Sequence, residues 1–92
     1  MITDKINENC VDILLDKAKE ELRDVVAYGE LYDKLAAKGM HGEARVIEEI
    51  AKDEHEHAEV LCELLEEHGH MKRDDAELKD LWHKANEAFD MY

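Results

Sequence analysis

Ile47-Glu48-Glu49-Ile50-Ala51-Lys52-Asp53-Glu54-His55-Glu56-His57-Ala58-Glu59-Val60-Leu61 sets apolar residues at the three- and four-residue spacing of an amphipathic helix. Extended both ways, the stripe is Ile47, Ile50, Glu54, His57, Leu61, Leu64 and His68, with Ala51, Ala58 and Leu65 beside it. Glu54 and His57 lie inside that seam, three residues apart. On a helix this spacing puts both side chains on one face, about one turn apart. A carboxylate and an imidazole so placed suit one metal ion. Their neighbours fall elsewhere: Glu48, Lys52, His55 and Glu59 line one flank, Glu49, Asp53, Glu56 and Glu63 another. These flanks, His55 and Glu56 included, are expected to face solvent.

The helix is expected over about residues 43–68, with Gly69 stopping it. Upstream, a first helix is expected over about 4–38, capped by Thr3 or Asp4. Its stripe is Leu14, Ala18, Glu21, Val25, Tyr28, Tyr32 and Leu35, widened by Leu15, Leu22, Gly29 and Ala36. Glu21 is its one charged member. Gly39 reads as a left-handed C-terminal cap, opening a turn through Met40-His41-Gly42. Downstream, Asp74 and Glu77 resemble a capping box. A short helix follows, about 75–91, with Leu78, Leu81, Trp82, Ala85 and Phe89 on one face. Trp82 and Phe89 are assigned to packing between chains. The expected architecture is all-α, one domain over residues 1–92: a long antiparallel hairpin and a short C-terminal helix.

Composition narrows the function. The chain has 92 residues, no proline, 40% charged residues and 5% aromatics, which suits long solvent-washed helices rather than a sandwich or barrel. A formal net charge of −13 argues against nucleic acid and against an anionic membrane surface. No apolar run approaches the roughly 20 residues of a membrane span, and the first residues lack a signal-peptide stretch. A cytoplasmic location is therefore expected, with Cys10 and Cys62 as free thiols. So short a chain builds a thin core alone, and self-association would thicken it. His41, His68, His70 and His83 are dispersed and are assigned no role.

Two helices joined by a tight turn run antiparallel. Glu21 then lies roughly 27 Å above the turn, and Glu54 and His57 roughly 18 to 23 Å, a match to within about one helical turn. A buried unpaired carboxylate costs several kcal/mol, so three ionisable groups at one level imply a shared partner. A di-iron carboxylate site in a helical bundle takes one Glu from each of two helices and a Glu-x-x-His from each of the other two. Glu21 with Glu54 and His57 is half that set. A two-fold dimer, or a larger even-numbered homo-oligomer, would complete it. The donors favour iron, with manganese or zinc as alternatives.

Glu21, Tyr28 seven residues on, a long gap, and Glu54-x-x-His57-Ala58 together resemble half of a rubrerythrin or bacterioferritin bundle. With one motif copy and a short third helix, the pattern is most similar to the encapsulated-ferritin branch of the ferritin-like superfamily. The resemblance spans about Ala18 to Leu65. It implies a hairpin that completes a ferritin-like four-helix bundle by dimerising, with a metal site between the chains. It implies metal ligands, and hence the catalytic centre, at Glu21, Glu54 and His57, with Tyr28 as a nearby hydrogen-bond donor. The implied activity is ferroxidase oxidation of Fe(II), one iron per chain, with rubrerythrin-like peroxide scavenging as the alternative. An encapsulin shell is an implied partner, although the chain ends Ala88-Phe89-Asp90-Met91-Tyr92 without the usual docking tail. The two motif copies and four-cysteine iron domain of rubrerythrins proper are also missing. The rival reading is a metal-free helical adaptor whose polar layer sets register.

Overall fold

The computed structural model describes residues 8–67 and 75–89, which form three helices: α1 Glu8–Ala37, α2 His41–Glu67 and α3 Ala76–Ala88. The expected caps at Thr3 or Asp4, the stop at Gly69, and His68 and His70 lie outside the described residues. The hairpin of α1 and α2 carries most of the fold, and α3 packs chiefly on α1. No strand occurs among the described residues.

The turn forms at Gly39 as read but is shorter, because His41 and Gly42, expected in it, already belong to α2. Gly39 has φ +77, the left-handed region. Gly39 N–H donates to Ala36 O at 3.0 Å and Met40 N–H to Leu35 O at 2.9 Å. These two bonds make a Schellman motif and satisfy carbonyls that the end of α1 would otherwise leave open. At the other end of the chain the cap is Asp75, not Asp74, which lies outside the described residues. Asp75 Oδ1 accepts from Leu78 N–H at 2.9 Å. Lys19 Nζ sits 3.2 Å from Asp75 and 3.0 Å from Glu77, so the cap also ties α3 to α1. Those donors hold both carboxyls below their ordinary values, the Leu78 amide dominating for Asp75 and the Lys19 ammonium for Glu77.

Packing corrects the seam on α2. Its buried residues are Ala44, Ala51, Ala58, Cys62 and Leu65, of which Ala51, Ala58 and Leu65 were expected only beside the seam. Ile50, His57 and Leu64, expected at its centre, are exposed. The reason is size. Alanines at 51 and 58 let α2 approach Ala18, Leu22 and Val25 of α1 closely, and all five are fully buried. Ile50 and Leu64 are left on the outside of the hairpin, while Leu61 and Leu65 stay packed on it.

α3 covers one face of that hairpin through Leu78, Leu81 and Ala85. Contact is close at Gly29, where an added Cβ would fall 2.8 Å from Ala88 Cβ. Trp82 and Phe89, expected between chains, are spent within this one. Trp82 packs on the core, and Phe89 meets Tyr32 edge-on at 5.4 Å.

Gly39→Ala isolates the turn's backbone requirement, because nothing lies within 4 Å of the added Cβ. The expected loss is about 1–2 kcal/mol of unfolding free energy in urea, from the left-handed φ alone.

Candidate metal centre

Glu21 sits on the buried face of α1, between Ala18 and Val25, and is only 7% exposed. Helical spacing puts it there, and α2 covers it. Its Oε1 lies 3.6 Å from Lys17 Nζ. Its Oε2 is buried without any hydrogen-bond partner. An orphaned buried acceptor of this kind costs about 1–3 kcal/mol.

Glu54 and His57 come to the same level from α2. His57 Nδ1 is 3.9 Å from Glu21 Oε2 and 3.5 Å from Glu54 Oε1. One donor atom from each of the three residues falls within 4.8 Å of the others. Two oxygen or nitrogen ligands of one ion at about 2.1 Å stand at most about 4.2 Å apart, so modest side-chain rotation closes the group. A hard acid with a borderline character would satisfy Glu21 Oε2 and relieve the carboxylates together. The residues fit a divalent cation.

Electrostatics tell the same story. Glu54 is pushed up to about 7 from an ordinary 4.5, first by burial, then by the carboxyl of Glu21, then by that of Asp24. Acids crowded this way repel one another unless a proton or a metal ion intervenes. Exposure rises across the group, with side chains 9% accessible at Glu21, 21% at Glu54 and 59% at His57. The site is therefore closed on the hairpin side and open outward.

The other sequence candidates divide. Glu56 is exposed, as expected. His55 is not on the solvent side: its side chain is 14% accessible. Its Nε2–H donates to Asn86 Oδ1 at 2.6 Å, and its ring meets Trp82 edge-on at 5.1 Å. The wheel of α2 alone could not show this, because α3 lies across that flank. His55 and His57 thus serve opposite faces of one helix. Tyr28 is half-buried and packs against the core cluster. Cys62 is buried, and burial pushes its thiol up, as plain packing would. Asp24 is the residue that sequence reading passed over. Glu21-x-x-Asp24 repeats on α1 the spacing of Glu54-x-x-His57 on α2, and that repeat was the available signal.

The family model for rubrerythrin matches residues 12–90, which takes in all of α2 and α3 and most of α1. The chain belongs to the rubrerythrin family. That places it in the ferritin-like superfamily, among di-iron carboxylate proteins, in keeping with its all-α fold and its glutamate–histidine group. Rubrerythrin-family proteins typically bind iron. No curated protein and no solved structure matches the chain. Among the described residues no helix is long and apolar enough to cross a membrane.

The raised Glu54 has a measurable consequence. Unfolded, this carboxyl releases its proton near 4.5, and folded only near 7. Between those values the folded state holds more protons, so the stability this group contributes falls as pH rises and levels off above about 7. In EDTA, the Tm of the wild type minus that of Glu54→Gln should decline between pH 5 and 8. Thermal scans across that range check it, and a flat difference would count against the crowded-acid reading. With Mn(II) added the trend should reverse, because the metal takes the ionised carboxylate.

Proposed function

We propose that Glu21, Glu54 and His57 are one half of a di-iron centre, completed by a second copy of the chain. The observation that carries this reading is Glu21 Oε2, buried, without a partner, and 3.9 Å from a half-exposed imidazole. A metal-free adaptor would leave that oxygen dependent on a proton shared with Glu54. One protomer offers two carboxylates and one imidazole, which is half the set of a ferritin-like di-iron site.

In this reading the chain oxidises Fe(II), with iron as substrate and dioxygen as electron acceptor. Bound iron supplies the redox chemistry, and the protein supplies position and charge. Glu21, on α1 and covered by α2, would be the most fixed of the ligands. Glu54 is less enclosed and would hold the ion from the side nearer solvent. His57, most exposed, adds the borderline donor that favours iron or manganese over calcium. The acidic crowd of Glu21, Asp24 and Glu54 draws cations in and keeps anions out. Tyr28 would serve as a hydrogen-bond donor near the site. Family membership favours a second reading with hydrogen peroxide as the oxidant, and the same ligands serve it.

Metal-free protein given Fe(II) in air should oxidise it rapidly and hold about one iron per chain. Glu54→Ala and His57→Ala should each slow oxidation at least ten-fold, about the smallest cost of disturbing a metal site. Stopped-flow absorbance with dioxygen and with peroxide separates the two oxidants. Either variant working at the wild-type rate would end the proposal.

A further inference from the structure

The carboxyl of Glu21 faces two ways. Its Oε2 is orphaned and lies 3.9 Å from His57 Nδ1, on the side of the other ligands. Its Oε1 lies 3.6 Å from the Lys17 ammonium. Among the described residues, Lys17 is the one lysine or arginine that forms an ion pair with Glu21, Asp24 or Glu54. A cation therefore already stands beside the acidic crowd, tethered to the chain.

Lys17 has a second partner. Its Nζ donates to Glu20 Oε1 at 3.3 Å. Residues 20 and 21 follow Lys17 by three and four positions, so one lysine stem reaches both with no backbone movement. The partners differ in setting, since Glu20 is exposed and Glu21 is buried. Lys17 is itself half-exposed, so its stem can turn at little cost in packing. An ion held on Glu21 Oε2 at about 2.1 Å would stand within roughly 8 Å of the ammonium. That is inside the screening length of about 10 Å at 0.1 M salt, so the two cations would repel. Glu20 offers the ammonium a place on the solvent side.

We infer that Lys17 is the built-in counter-ion of the empty centre, and that a metal ion enters as Lys17 lets go of Glu21 and keeps Glu20. Its role rests on the half-site reading above, and Lys17 touches no ion itself. The tethered ammonium sets how tightly the centre binds, because an incoming cation has to displace it from the most enclosed ligand. A divalent ion that also gains Glu54 and His57 meets that demand.

Mn(II) binding to the full chain at low ionic strength tests this, read from the electron paramagnetic resonance of the free ion. Lys17→Gln should bind Mn(II) about five-fold more tightly than wild type, the most that an exposed ion pair is worth. Lys17→Arg, which keeps the charge, should stay within about two-fold of wild type. So should Lys84→Gln, which removes a like charge on α3, where Lys84 pairs with Asp80. Glu20→Gln takes away the alternative partner. It should weaken binding about three-fold in wild type and change it by less than about 1.5-fold in the Lys17→Gln chain. At 1 M salt, where the screening length is about 3 Å, the gain from Lys17→Gln should all but vanish. Binding by Lys17→Gln that equals wild type makes Lys17 a plain surface charge, and weaker binding makes it a support for Glu21; either overturns the counter-ion role. An equal effect of Glu20→Gln in both backgrounds overturns the transfer. The metal centre survives all of these results if Glu54→Ala abolishes Mn(II) binding. Wild-type chain that binds Mn(II) no better than Glu54→Ala sinks the centre and the role of Lys17 with it.

Discussion

A carboxylate that the fold buries and leaves without a partner is the constraint on which the rest depends. Glu21 sits where an apolar residue would serve the hairpin better, between Ala18 and Val25 on the face that meets α2. Its Oε2 has lost water and, with Glu54 ionised, has no hydrogen bond in return. Such a residue persists only if the working state supplies what the isolated chain lacks. The groups closest to it, Glu54 and His57, are themselves potential ligands, and Glu54 is strained by the same crowding. The arrangement is unfavourable as a metal-free core and favourable around a cation.

The two faces of α2 divide the labour by side-chain size. Alanines at 51 and 58 build the seam with α1, where close approach matters most. Ile50, Val60 and Leu64, which would have made a thicker core, point away from it. Most of the hairpin's packing therefore does not rest on the ligands. Glu21 touches both regions, since it lies in the alanine seam while its orphaned oxygen faces the ligands. That separation lets a ligand variant fold and report on metal binding alone.

Much of this was legible in the spacing of residues. The Gly39 turn, the two long helices, and the meeting of Glu21 with Glu54 and His57 all follow from helical periodicity and the rise per residue. What periodicity could not decide was which of two adjacent lines on α2 faces α1. A wheel ranks lines by hydrophobicity, and the isoleucine and leucine line outranks the alanine line. Packing chose the alanines because helix separation, not hydrophobicity, governs that contact. His55 escaped for a related reason. Its partners Asn86 and Trp82 sit on α3, and no property of α2 alone encodes where a third helix will lie.

Burial of the alanine line is what gives Glu54 and His57 their direction. Were the isoleucine line packed against α1, Glu54 and His57 would point into a finished core, and one chain would have to satisfy them. With the alanine line inside, the ligands stand at the edge of the hairpin, Glu21 and Glu54 behind and His57 in front. The half-site proposed above requires an opening on one side, with apolar surface around the charged centre. The exposed isoleucine, valines and leucines around His57 meet both conditions. The same choice of small residues that lets the chain close its own seam leaves His57 at the surface and Glu54 beside it.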